Sequence, residues 1–215
     1  SFKPIQVLKG KLKTGSAGSG LRSGLVVFQF VTSIVLIIGT IIIYRQLNYI
    51  QSKNLGYSKE QVLIINDAYT LGNNAETFKQ DMLQQPGVLN GTLSSFLPTP
   101  SSRSDNIFSI SPQLDVKTGF SMQEWGVDYD YINALGMRLI AGRNFSKDFG
   151  TDSSAVILNE TTAKSLGYDD PLGKSVYSIY NPKTNETRKY TIIGVVKDFH
   201  FESEKRDRGR LGLCL

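Results

Sequence analysis

The sequence predicts an α+β protein: one N-terminal transmembrane helix, then a two-lobed domain of short strands and helices. Three observations carry that prediction. Residues 23–44 contain no charge, basic residues crowd around that run, and no acid precedes Glu60. Beyond residue 60, short apolar runs of strand length alternate with helical patterns closed by Gly or Pro.

The uncharged run spans the 22 residues from Ser23 to Tyr44, between Arg22 and Arg45. As a helix it measures about 33 Å, against a hydrocarbon core of about 30 Å. In lipid a lone segment must satisfy its own backbone, and only a helix does that. Gln29, Thr32, Ser33 and Thr40 are uncharged and tolerable there, above all facing another helix. A core helix of a soluble protein rarely goes so long without a charge. A cleaved leader is also disfavoured. Its apolar core is about 7–15 residues with small residues before the cut. Here the run is longer and leaves through Ile41-Ile-Ile-Tyr-Arg-Gln-Leu47.

The net charge of +5 hides an uneven distribution. Eight of the 24 bases, from Lys3 to Lys59, precede the first acid, leaving 16 bases against 19 acids from residue 60 onward. Five of the eight stand before the run and three after it. This excess is a topology signal, not a nucleic-acid footprint, and places residues 1–22 in the cytoplasm and 46–215 outside. A single cysteine, Cys214, excludes an internal disulfide framework and a cysteine-based metal site. The opening Ser in place of Met reads as the start of an excised piece.

Taken in order, Ser1–Lys13 mixes Phe2, Ile5, Val7 and Leu8 with lysines, a short amphipathic stretch suited to anionic lipid headgroups. Thr14–Gly20 reads as a flexible linker; it lacks the Gly-Lys-Ser/Thr ending of a phosphate loop. The helix is expected to continue to about Lys53, with Tyr44 and Tyr49 at the interface and Gly56 as its stop. Gln61–Asn66 has the pattern of a buried strand. Asn74–Gln85 has that of a helix capped by Asn74, with Phe78, Met82 and Leu83 on one face. Val88–Phe96 then reads as a return strand, completing a β-α-β unit.

Leu97–Asp105 is a Pro-containing crossover to a second lobe. Strands are expected at Ile107–Ile110 and Phe120–Asp128, a short helix at Asp130–Leu135, and an extended stretch over Met137–Ser146. A strand at Ala155–Leu158 leads to a helix capped by Asn159 with Glu160 in its first turn. Strands at Ser175–Tyr180 and Tyr190–Val196 flank a polar turn at Asn181–Glu186.

Catalytic chemistry finds little support. His200, the sole histidine, sits between Phe199 and Phe201 with no evident orienting partner. Asp128 with Asp130, Asp148 with Asp152, and Asp169-Asp170 match no calcium-loop spacing and read as caps or turns. Gly136, Gly142, Gly167, Gly173 and Gly194 fall at element ends, where positive φ is useful.

The order Leu25-Val-Val-Phe-Gln-Phe30, Asp128-Tyr-Asp-Tyr-Ile-Asn-Ala-Leu-Gly-Met-Arg-Leu-Ile-Ala-Gly-Arg-Asn-Phe-Ser146, Ala155-Val-Ile-Leu-Asn-Glu-Thr-Thr-Ala-Lys164, Asp170-Pro-Leu-Gly-Lys174 and Ile193-Gly-Val-Val-Lys-Asp-Phe-His200 resembles the MacB/FtsX-like ABC transporter permeases. Phe2–Lys11 is similar to the cytoplasmic connector before the second-half membrane helix of duplicated permeases. The resemblance runs to about Ser203. It implies a connector over 1–22, a membrane helix over 23–44 reaching to about 53, and a MacB-like periplasmic core domain over 60–203. One lobe would hold 61–96 and 155–200, with the other inserted at about 100–150 and residues 204–215 left as an atypical charged tail, read as a truncation or frame error.

The resemblance further implies an inner-membrane protein whose bulk lies in the periplasm, a mechanotransmission part served by a separate cytoplasmic ABC ATPase. A second permease copy or half, membrane lipid and an unidentified periplasmic partner or substrate complete the expected company, without nucleic acid. No catalytic residue, cofactor or metal is expected in this chain. The family-motif positions Asp128, Tyr129, Gly136, Gly142, Arg143, Asn159, Glu160, Gly167, Pro171, Gly173, Gly194 and Asp198 are read as structural. From a different class, a single-span anchored sensor or ligand-binding module remains an alternative, and an anchored hydrolase a third.

Overall fold

A computed structural model describes residues 17–52, 55–99, 105–112, 119–181, 186–200 and 209–215. The chain divides into two compact units, Ser1–Lys53 and Asn54–Leu215. The first is built on α1 (Ala17–Ser52), 36 residues of continuous helix, or about 54 Å. Within it, Gly20–Ile50 is the one stretch among the described residues long and apolar enough to cross a membrane. The helix continues past Tyr44 as expected but starts earlier. Its first residues, Ala17–Gly20, belong to the stretch expected to be a linker. The amphipathic stretch at Ser1–Lys13 lies outside the described residues.

The second unit contains α2 (Ala75–Leu83), β1 (Asn106–Ser109), β2 (Phe120–Gly126), α3 (Tyr131–Ala134), β3 (Leu139–Gly142), β4 (Ala155–Asn159), α4 (Glu160–Ser165), β5 (Ser175–Asn181), β6 (Glu186–Val196) and β7 (Leu211–Cys214). The strands form one sheet in the order β3-β6-β4-β7-β2-β1-β5, and β5 also pairs with β6. The long β6 makes this possible. Its first half pairs antiparallel with β5 and its second half parallel with β4, the two ladders meeting at Thr191. Six strands thus close a circuit, with β3 added on β6 outside it.

Period-two alternation assigns side chains to two cores. Phe108, Met122, Val156, Leu158, Val176, Tyr190, Ile192 and Cys214 form one cluster, to which every strand of the circuit contributes. Their neighbours Trp125, Ile157, Val196, Leu211 and Leu213 face the other way, onto Tyr131, Ile132 and Leu135 of the α3 region and onto Phe199. Because β4 and β7 feed both clusters, every residue in them is buried.

Three expectations are corrected here. The tail expected to be an atypical appendage ends in β7, a central strand lying parallel to β2 and antiparallel to β4. Its Leu211-Gly-Leu-Cys214 is the apolar piece that fills the gap, which the charged residues before it obscure. The β-α-β unit over 61–96 does not form. Gln61 and Asp67 take left-handed φ values of 58° and 59°, which interrupts extended backbone at both ends. Leu63 between them is 83% exposed. Of the return segment, only Ser94 pairs, in a bridge to Val127. Finally, β1 and β2 join the same sheet as β4 and β6, so residues 100–150 are not a separately inserted lobe.

The helix α2 does form at the expected place, but Asn74 makes no side-chain cap. A 3-10 stretch, Ala68–Asn74, runs directly into it and occupies the capping position. Of the polar turn expected at Asn181–Glu186, residues 182–185 lie outside the described residues.

Burial on both faces makes β7 energetically central. Leu213→Ala is expected to lower the stability of the 54–215 unit by about 2–5 kcal/mol. Leu63→Ala should change it by less than about 0.5 kcal/mol. Denaturant midpoints of the two variants measure this contrast; equal effects would remove β7 from the core.

Candidate functional site

The residues singled out in the sequence gather around three buried polar clasps. The first centres on Lys79, whose side chain is only 5% exposed on α2. Its Nζ donates to Asp128 Oδ2 at 2.9 Å and Asp130 Oδ2 at 3.0 Å, and pairs with Glu76 at 3.0 Å. Burial opposes the ammonium charge. The hydrogen bonds to Asp128, Asp130 and Glu76 outweigh it and raise the Lys79 pKa above the usual lysine value. On the other side, Asp128 accepts from the backbone N–H of Leu93 at 2.9 Å and from the Thr92 hydroxyl. One carboxylate therefore fastens α2, the 92–93 segment and the end of β2.

The second clasp pairs Arg143 with Asp152 in a fork: Nη1 to Oδ2 at 2.8 Å and Nη2 to Oδ1 at 2.7 Å. The Ser146 N–H also donates to Asp152, and Phe149 lies 4.0 Å from the guanidinium carbon. The Arg143 hydrogen bonds hold the Asp152 carboxyl below its ordinary pKa against the opposing effect of burial. The turn between β3 and β4 is closed by this pair. Gly142 leads into it at φ +72°, and a Cβ there would stand 2.2 Å from the Ile193 carbonyl oxygen.

The third clasp is Asn159. It caps α4 by accepting from Thr162 N–H at 3.2 Å. The same oxygen accepts from Leu211 N–H at 3.1 Å, and the amide donates to Asp198 and to the Gly209 carbonyl. Asp198 accepts in addition from the Thr161 N–H and hydroxyl. So the expected cap at Asn159 is present, and it also ties β7 to α4 and to the end of β6.

The remaining motif positions are structural neighbours of these clasps. Tyr129 lends its carbonyl to Asn144 at 3.1 Å, and Glu160 pairs with Lys164 one turn on. Pro171 accepts from Lys174 N–H in the turn that Gly173 completes with positive φ. Gly136 and Gly167 share positive φ, whereas Gly194 lies within β6 and instead makes room for the Arg143 carbonyl.

Two further features escaped the sequence reading. Lys79, three residues after Glu76, looks like one half of a surface pair, and no local signal marks its burial. Tyr190 donates to Glu124 at 2.7 Å inside the circuit; burial chiefly, then that hydrogen bond, raises its pKa. His200 is half-buried, and its backbone N–H donates to Leu55 at 2.8 Å. The Cys214 thiol is buried and its pKa pushed up by that burial. Among the described residues no group of three His, Cys, Asp or Glu side chains is placed to hold a metal ion. These groups hold segments of the domain together.

A lowered folded pKa at Asp152 fixes the sign of its pH dependence. Its contribution is complete above the unfolded carboxylate range near about pH 4, and is lost as pH falls through the lower folded value. Asp152→Asn is expected to destabilise the domain at pH 7 and to flatten its acid-induced loss of stability. Chemical denaturation across pH 2–7 checks both, and an unchanged acid slope would contradict the assignment.

With this geometry in view, three comparisons bear on identity. The family model described as the MacB-like periplasmic core domain matches residues 30–209. Comparison with curated proteins gave no match. Among solved structures, the periplasmic region of MacB from Actinobacillus actinomycetemcomitans is similar at 20% identity and a TM-score of 0.43, covering 65% of this chain and 53% of that one. The extracellular domain of the noncanonic ABC-type transporter YknZ from Gram-positive bacteria is similar at 16% identity and a TM-score of 0.43, covering 65% and 60% respectively. The chain thus spans between half and two thirds of those structures. With one family model matching residues 30–209, well over half of the chain, the chain belongs to the family of MacB-like periplasmic core domain proteins.

Proposed function

We propose that this chain is part of an ABC transporter permease subunit of the bacterial inner membrane, with its folded unit in the periplasm. In this reading it passes the ATP-driven motion of a partner cytoplasmic ATPase to that outer unit. The observation that carries it is a membrane-length apolar helix leading into a family-matched domain whose charged groups serve as clasps. A domain used to carry force needs its segments tied to one another. The clasps at Lys79 and Asn159 join stretches far apart in sequence, and the Arg143–Asp152 pair closes the connection between β3 and β4.

ATP hydrolysis is assigned to the partner. The Gly/Ser stretch at Thr14–Gly20 lacks the lysine of a phosphate loop.

The test is purification in detergent of the intact protein encoded by this reading frame. It is expected to bring down an ABC ATPase subunit, with ATP hydrolysis lost when that subunit is stripped away. Recovery with a fused or associated kinase, and no ATPase, would instead establish the anchored sensor.

A further inference from the structure

The folded unit begins at Asn54, and only residues 53 and 54 separate Ser52, the end of α1, from Leu55. Over Leu55–Ser58 the chain is fastened at three places. The Leu55 carbonyl accepts from His200 N–H at 2.8 Å, and Ser58 N–H donates to the Leu135 carbonyl at 2.8 Å. The Tyr57 hydroxyl donates to the Pro98 carbonyl at 2.6 Å. The Tyr57 ring meets Phe199 edge-on, with centroids 6.3 Å apart, and Phe199 in turn packs on Trp125 in the core. Gly56 makes the fit possible. Its φ is +85°, and a Cβ there would lie 2.8 Å from the Phe199 Cβ.

The chain that follows is held far less firmly. From Gln61 to Asn74 every residue but Ala68 is exposed, and none belongs to a strand of the sheet. The next clasp along the chain is Lys79 on Asp128. The twenty residues from Lys59 to Phe78 have a contour length of at most about 70 Å. Were Leu55–Ser58 to let go, that length would be drawn out before a pull on the N-terminal side of the unit reached the sheet. A motion of the membrane segment would then go into straightening loose chain.

We propose that Leu55–Ser58 is a mechanical latch, the point at which a pull arriving along the chain from the membrane helix enters the folded unit. The load passes sideways, through Leu135 to the α3 region and through Phe199 and His200 to the segment after β6, and bypasses residues 59–78. Gly56 and Tyr57 are positioning residues: they seat the turn on Phe199 so that both backbone hydrogen bonds form. The proposal rests on the reading of the chain as a force-transmitting permease part, but the latch is a property of the folded unit and is measured without a partner.

Optical-tweezers extension of the full chain in detergent tests it, with handles on Ser52→Cys and Lys189→Cys; Cys214, 4% exposed, stays unlabelled. With the latch intact, no lengthening is expected before the main unfolding event. Gly56→Val should add an earlier low-force step of up to about 70 Å. Tyr57→Phe, which keeps the ring and loses the hydroxyl, should show that step at a higher force. Gly-Ser-Gly-Ser inserted between Lys59 and Glu60 should leave the latched chain without an early step, and should lengthen the Gly56→Val step by about 14 Å. An early step in the latched chain, with or without the insertion, or no early step in either variant would overturn the proposal. If Gly56→Val does not fold, Tyr57→Phe and the insertion decide on the same step. A chain that brings down an ATPase yet shows no latch would overturn this inference alone; a firm latch in a chain with no ATPase would overturn the permease reading alone.

Discussion

Hydrocarbon offers no partner to a backbone amide, and that constraint governs how this chain is organised. A segment with no charge between Arg22 and Arg45 can enter a bilayer only if its own hydrogen bonds are closed, which α1 achieves over 36 residues. Those residues exceed the thickness of the hydrocarbon, so a helix of this length crossing a bilayer would also reach beyond its boundary. The bases concentrated before Glu60 fit that boundary, and the slightly acidic remainder fits an aqueous domain.

In the aqueous unit, the analogous accounting is done by the sheet. Its strands close a six-membered circuit, and β7 supplies the strand between β4 and β2. A central strand of four residues is short. Asn159 compensates by taking Leu211 N–H directly, so that entry of β7 and capping of α4 are fixed by one amide. Polar side chains thereby do for the ends of elements what backbone pairing does along them.

Much of this architecture was legible in the sequence. The uncharged run, the strands at Phe120–Gly126, Ala155–Asn159 and Ser175–Asn181, and the Asn159 cap follow from periodicity and local capping chemistry. Local signals failed where a distant partner decided the outcome. Val62-Leu-Ile-Ile65 has the composition of a buried strand but remains exposed, since no ladder accepts it. Leu211–Cys214 sits next to a charged stretch that suggested an appendage, yet two strands from elsewhere in the chain bury it completely. Lys79 was invisible as a clasp member for the same reason: its burial is set by Asp128, at a sequence separation that spacing rules do not reach.

A helix crossing the bilayer with the folded unit outside is tested most directly by proteolysis of intact spheroplasts. Protease added to spheroplasts expressing the chain is expected to digest residues 54–215 while cytoplasmic proteins stay whole. A fragment containing the uncharged run should remain with the membranes. Full protection of the domain until the cells are lysed, or its release in soluble form without cleavage, would contradict the account.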